Sequence, residues 1–244
     1  VQERWSGFLK PLFVIGIAVV LLHFEPDHGA MVIMLLTAFT LIFLAGAKLY
    51  RFLAMLALCI AGFAYLAITK PYVLVRLSAY LNPWAEENVF DGGYQLTQAL
   101  IAFGRGEWTG MGLGNSIQKL YFLPEAHNDF ILAIIGEELG LLGVAAVVLA
   151  FCMLVQMAFR VGQLAQKQDM LFEAFLAYGL GLLFAGQALI NVGVNIGLLP
   201  TKGLTLPFLS YGGASLIVSS YMVGLLIRIR YEASIHGLAE RGER

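Results

Sequence analysis

The stretch YFLPEAHNDFILAIIGEELGLLG, residues 121–143, sets Glu125, His127, Asp129, Glu137 and Glu138 at the mouth of an apolar run. A lone carboxylate with such neighbours suits proton transfer, and a positioned general base contributes about 10²–10⁴-fold to a rate. Nucleophilic and metal chemistry lack their residue sets: His127 has no partner in HExxH spacing, and no GxSxG elbow occurs. Pro124 punctuates the chain, so a helix is predicted to begin near Asn128 or Asp129. The helix dipole favours a carboxylate there by about 0.3–1 kcal/mol. Two readings stand. In one, Asp129 is only a first-turn acid, and Glu137 and Glu138 only interface residues. In the other, the segment lines a water-accessible pocket. A helix running from Asp129 would carry Glu137 about 12 Å further along, and ionisable groups that deep normally face a wet cavity, not lipid.

Three more stretches hold polar or backbone groups that a ligand could use. FGRGEWTGMGLGNSIQK (103–119) is rich in glycine yet is neither a Walker loop nor a dinucleotide fingerprint. It reads either as a flexible turn or as backbone lying close to a ligand, with Arg105 and Lys119 offering charge to a phosphate. NVGVNIGLLPTKGLTLPFLSYGGASLI (191–217) interrupts apolar sequence with two prolines, Lys202, Ser210 and a Gly-Gly pair. Non-helical backbone at membrane depth is tolerated where it is buried in protein or lines a cavity. This stretch is therefore either a loop packed between helices or a wall of the same pocket, with Lys202 available to an anionic headgroup. EPDHG (25–29) is a shorter break predicted at the same face.

The elements that must position these groups are helices in a membrane. Of 244 residues, 59% are hydrophobic and 13% charged, against about 25% charged in a soluble domain. The fold class is an all-α polytopic integral membrane protein. Six apolar runs are predicted to span: 11–24, 29–47, 52–69, 139–159, 174–199 and about 216–227. Lys and Arg divide ten to five between the two sides, which places both termini in the cytoplasm. Residues 70–128 then form one long extracytoplasmic loop within a single membrane domain spanning 1–244. Trp84 and Trp108 in it suit a headgroup-level belt, and GYQLTQALIAF (93–103) reads as a short helix lying on the membrane. Cys59 and Cys152 sit in apolar stretches and read as packing residues. No basic run with interleaved aromatics suggests nucleic acid. The chain opens at Val1 without a signal-peptide pattern, and reads as a fragment lacking N-terminal helices.

Taken together, PDHG (26–29), LAGAK (44–48), NPW (82–84), residues 93–120, LPEAHNDFI (123–131), GEELGLLG (136–143) and residues 197–217 resemble the SEDS family of bacterial cell-wall polymerases. The likeness runs from about residue 5 to 231, and PTKGLTLP points to the division branch over the elongation branch. Asn128, Leu132, Ala214, His28 and Ala30 depart from the residues usual there. The resemblance implies the last six helices of a ten-helix fold and a peptidoglycan glycosyltransferase that polymerises lipid II at the division septum of the bacterial inner membrane. By motif, Asp129 is the catalytic base. The substrate-binding set is then Glu125, His127, Lys202, Ser210, Arg105 and Lys119. No metal ligands are legible, although a divalent cation could assist the leaving group. The implied partners are a class B penicillin-binding protein transpeptidase and other divisome proteins. A lipid II flippase or a non-catalytic division scaffold are the alternatives. The one-sided placement of the acids favours the enzyme, because a transporter should carry charge near midplane and on both faces.

Overall fold

A computed structural model of the chain describes residues 5–24, 28–46, 50, 53–54, 57, 61, 79–90, 92–200 and 203–242. Among these residues every regular element is helical. In chain order they are α1 (Trp5–Phe24), α2 (His28–Leu44), α3 (Glu86–Val89), α4 (Tyr94–Gly106), a π-helical turn (Gln118–Phe122), α5 (Ile131–Lys167), α6 (Leu171–Asn195) and α7 (Gly213–Gly242). Three helices, Ile131–Lys167, Leu171–Asn195 and Gly213–Gly237, are long and apolar enough to cross a membrane. Phe13–Phe24 and Gly29–Leu44 are shorter apolar helices. The span expected over 52–69 falls almost wholly outside the described residues.

Helix α6 is the centre of the packing, with α5, α2 and α7 laid against it. Its own sequence explains why. Ala174, Ala177, Leu180 and Phe184 meet Ala158, Val161 and Ala165 of α5 and Met222, Leu226, Ile229 and Ala233 of α7 in one core. Small residues let the backbones approach, as is usual where lipid removes the hydrophobic drive between helices. A Cβ at Gly181 would lie 3.0 Å from that of Ala158, and one at Gly162 would lie 2.4 Å from the Tyr178 ring. The faces turned away carry exposed Leu142, Leu149, Met153 and Met157 on α5, as lipid-facing surfaces require.

Helix α4 is the element expected over 93–103, and its buried stripe of Leu96, Ala99, Ala102 and Gly106 packs on the start of α5. The approach is close enough to demand glycine. A Cβ at Gly106 would sit 1.8 Å from the carbonyl oxygen of Gly136.

Helix α5 extends past both ends of the span expected over 139–159: it begins at Ile131 and runs to Lys167, 37 residues in all, or about 55 Å. That exceeds a hydrocarbon core of about 30 Å. It is also broken: Gly140 has φ 66° and ψ −165°. The chain segment after α4 fills the break with its own backbone. The Glu137 and Glu138 carbonyls accept from the N–H groups of Met111 and Gly112 at 2.9 and 3.0 Å. The N–H groups of Leu141 and Leu142 donate to the Glu107 and Trp108 carbonyls at 2.9 and 3.2 Å. Residues 107–122 thus form a strap across the break.

Gly140→Ala should destabilise the fold by at least about 3 kcal/mol. The conformation is reserved for glycine, and the new Cβ would lie 2.5 Å from the Gly110 nitrogen and the Trp108 backbone. Gly104→Ala in α4 meets nothing within 4 Å and should be neutral or stabilise by up to about 1 kcal/mol. Thermal unfolding of the two variants in detergent checks the contrast; similar midpoints would mean that the break is not rigid.

Candidate active site around Asp129

Asp129 does not lie in the first turn of a helix. The helix starts at Ile131, capped by Phe130 without a side-chain hydrogen bond, so Asp129 sits in the turn that leads into it. Glu125 starts this turn in the left-handed region, with φ 55°. Its carbonyl accepts from the N–H groups of Asn128 and Phe130 at 3.0 and 3.3 Å, and its carboxylate accepts from Nδ2 of Asn128. The expected start was two or three residues early because the missing cap comes from elsewhere. Oδ1 of Asn195, on α6, accepts from the Ala133 N–H at 3.1 Å.

Two walls hold the turn. On the α6 side, Nδ2 of Asn191 and Nδ2 of Asn195 both donate to the Asp129 carbonyl at 2.9 Å. On the other side runs the segment 203–211. Ser210 Oγ donates to the Asn128 carbonyl at 2.6 Å and accepts from the Leu206 N–H at 2.7 Å. The Tyr211 N–H donates to the His127 carbonyl at 2.9 Å. Asn191 Nδ2 joins the walls by also donating to the Leu204 carbonyl at 2.7 Å. The Leu204 side chain in turn meets Gly29 of α2, where a Cβ would lie 2.7 Å away. Gly29, at the end of the EPDHG stretch, thus abuts the same segment; residues 25–27 lie outside the described ones. Phe208 is left-handed, with φ 65°, and its ring stacks on Phe184 of α6 at 5.9 Å.

The result is a partly buried Asp129 whose carboxylate lies against the backbone of Gly203: a Cβ there would sit 2.9 Å from Oδ2. Glu125 and His127 are exposed on the same turn. Ser210, expected to contact a ligand, has its hydroxyl engaged on both sides within the protein. Lys202 lies outside the described residues, next in sequence to Gly203.

Arg105, Lys119, Glu137 and Glu138 form a second cluster, where α4 and α5 meet the strap. Glu137 is fully buried. It accepts from Ser116 Oγ at 2.5 Å and from the N–H groups of Ile117 and Gln118 at 3.2 Å, and pairs with Arg105 at 3.3 Å. Glu138 pairs with Lys119 at 2.5 Å. The expectation that Glu137 faces a wet pocket is corrected here: it is dry and its oxygens are satisfied by the strap. The cations expected at a phosphate are each engaged with a carboxylate. A cavity of about 430 Å³ lies at the helix break, lined by Phe103, Glu107, Trp108, Gly136 and Leu141, and none of the expected site residues is among them. Among the described residues no group of three or more His, Cys, Asp or Glu is arranged to hold a metal ion.

A family model for the FtsW, RodA and SpoVE cell cycle proteins matches residues 1–235. The chain belongs to this family. The FtsW/RodA/SpoVE family is the SEDS group that the sequence motifs resemble. A relative in Hahella chejuensis, named "Probable peptidoglycan glycosyltransferase FtsW", is 55% identical over 96% of this chain and 58% of its own length. Two solved structures share the fold. One, from work on polymerization and crosslinking by a peptidoglycan synthase complex, has a TM-score of 0.73 and 23% identity over 94% of this chain and 63% of that one. The other, a mutant of the rod shape determining protein RodA of Thermus thermophilus, has a TM-score of 0.61 and 23% identity over 96% of this chain and 59% of that one. The chain thus spans about three fifths of the FtsW/RodA/SpoVE proteins it matches, and it is an integral membrane protein.

Asn191 and Asn195 are the site residues that sequence reasoning missed. The signal was present: two amides four residues apart fall on one face of a mainly apolar helix, and polar side chains there hydrogen-bond across helices.

Glu137→Ala should cost about 3–5 kcal/mol, because it orphans a hydroxyl and two amide donors and leaves Arg105 unpaired. Lys119→Ala, at a partly exposed pair, should cost under about 1 kcal/mol. Hydrogen exchange over residues 107–122 reads the difference: fast exchange across the strap is expected in Glu137→Ala alone.

Proposed function

We propose that this chain carries the catalytic face of a glycosyltransferase that polymerises lipid II, the undecaprenyl-pyrophosphate-linked disaccharide-pentapeptide. One observation carries the reading: the Asp129 carboxylate, partly buried on a turn anchored from two sides, lies close to Gly203 and on the same turn as exposed Glu125 and His127. Such a carboxylate is held in place yet can be reached by a substrate, as a general base requires. The names of the relatives support the reaction class.

In the proposed reaction the acceptor sugar presents its 4-hydroxyl to Asp129. The carboxylate takes the proton as the oxygen bonds to the anomeric carbon of the growing chain. The bond from that carbon to pyrophosphate breaks, and the linkage inverts from α to β. Glu125 and His127 are assigned to the sugars, and Lys202, beside Gly203 in sequence, to the leaving pyrophosphate. Arg105 and Lys119 would reach a phosphate only with the donors that their carboxylates leave over. Ser210 serves the site by tying the 203–211 segment to the Asp129 turn.

The Lys and Arg distribution supports an outward-facing site, with residues 70–128 on the extracytoplasmic side of the inner membrane. The similarity to a protein from a peptidoglycan synthase complex supports a transpeptidase partner, here a class B penicillin-binding protein. The division-type motif PTKGLTLP supports action at the septum.

Asp129→Asn tests the assignment. Asparagine keeps the size of the side chain and serves equally well in turns, so normal insertion is expected. Glycan formation from purified lipid II by the full-length protein with its transpeptidase partner should fall by about 10²–10⁴-fold. Robust polymerisation by the well-folded variant would end the base reading. A selective loss of lipid II movement would favour the transporter instead.

A further inference from the structure

We infer that Asn191 and Asn195 are positioning residues for the Asp129 carboxylate, acting through the backbone carbonyl that both of them hold; this rests on the reading of Asp129 as the base. Both side chains are almost wholly buried, at 1% and 0% exposure. A buried amide in an apolar helix is costly unless its hydrogen bonds are made, and here they are. Each Nδ2 reaches the Asp129 carbonyl at 2.9 Å. Asn195 Nδ2 also donates to the Asn191 carbonyl at 2.9 Å, which locks the pair to its own helix.

Three features take the arrangement beyond ordinary packing. First, Asp129 is outside the helix, so no i+4 amide fixes its carbonyl; two convergent amides from α6 do so instead. Pinning the backbone narrows the place of the carboxylate to what its two side-chain torsions can reach. Second, Asn191 Nδ2 bridges the Asp129 and Leu204 carbonyls. It thereby sets the gap between the base and the segment that begins at Gly203, where a Cβ would sit 2.9 Å from Asp129 Oδ2. Third, Asn195 Oδ1 holds the Ala133 N–H, so the same residue fixes the first turn of α5 relative to Asp129. A base placed this way is sensitive to small displacements, since an error of about 1 Å can cost about 10²-fold in rate.

The test uses the full-length protein with its transpeptidase partner and the lipid-linked substrate. Asn195→Ser is the mild variant. Its hydroxyl can bond back to the Asn191 carbonyl, leaving no orphan of its own, but it is too short for Asp129. Asn195→Leu is the harsher one. Expected is a fall in kcat of about 10–100-fold with KM within about twofold, at wild-type amounts in the membrane. In an Asp129→Asn background, Asn195→Ser should not lower the residual rate further, because groups that act as a unit are non-additive. Where that rate is below detection, Asp129→Glu serves as the background. The inference is overturned if well-folded Asn195→Ser keeps kcat within about twofold, if it raises KM alone, or if it costs the same factor with and without Asp129. If Asn195→Leu does not accumulate, Asn195→Ser decides alone. Wild-type polymerisation by Asp129→Asn would instead bring down the base reading itself, a result separable from all of these.

Discussion

A backbone that leaves the helix among apolar residues must still satisfy every N–H and C=O, because lipid offers no partner. That constraint organises this molecule. At Gly140 the helix gives up the bonds that Leu141 and Leu142 would make to Glu137 and Glu138. The strap supplies four bonds in their place. At the turn before Ile131, side chains complete what the backbone bonds leave: Asn191, Asn195 and Ser210 reach the carbonyls of Asn128 and Asp129, and Asn195 shares the N–H of Ala133 with the Phe130 carbonyl. Each break survives because a distant part of the chain was shaped to complete it.

The two breaks bound a short piece of helix, residues 131–139, that is fixed at both ends. Its buried residues Leu132, Ala133, Ile134, Gly136 and Glu137 press it against α4, α6 and the 203–211 segment. One end meets the Asp129 turn and the other carries the two carboxylates that bind the strap. Catalytic groups need a frame whose own rotamers and hydrogen bonds are settled, and this piece provides one. Left-handed backbone at Glu107, Glu125 and Phe208 falls at the strap, the turn and the facing wall. Strain of this kind persists only where the surroundings over-determine it.

What the sequence made legible follows from which signals are local. Apolar runs revealed the helices, since burial and lipid exposure depend on composition over a turn or two. The interrupted 191–217 stretch read as a packed loop or as a pocket wall, and its residues 203–211 do lie beside the start of α5. The non-local facts were hidden. The start of α5 was placed early because its cap acceptor comes from Asn195, 62 residues away. The glycines of 104–114 read as a flexible turn or as backbone close to a ligand, and nothing local showed that the surface they approach is a helix break. Glu137 read as a wet group because the donors that keep it dry come from the strap.

The crowding of acids near the membrane entrance is thereby resolved into two kinds of group. Glu137 and Glu138 are carboxylates whose donors the chain itself supplies: a hydroxyl, amides, a guanidinium and an ammonium. Such a group can sit in a dry place because its charge is already answered, and it is poorly placed to exchange protons with a substrate. The Asp129 turn is built in the opposite sense. Its backbone is held by Asn191, Asn195, Ser210 and the Tyr211 N–H, and its carboxylate lies near Gly203, where a Cβ would sit 2.9 Å from Oδ2. Fixing the main chain and keeping the neighbouring position small is the kind of settled frame that the base proposed at Asp129 calls for.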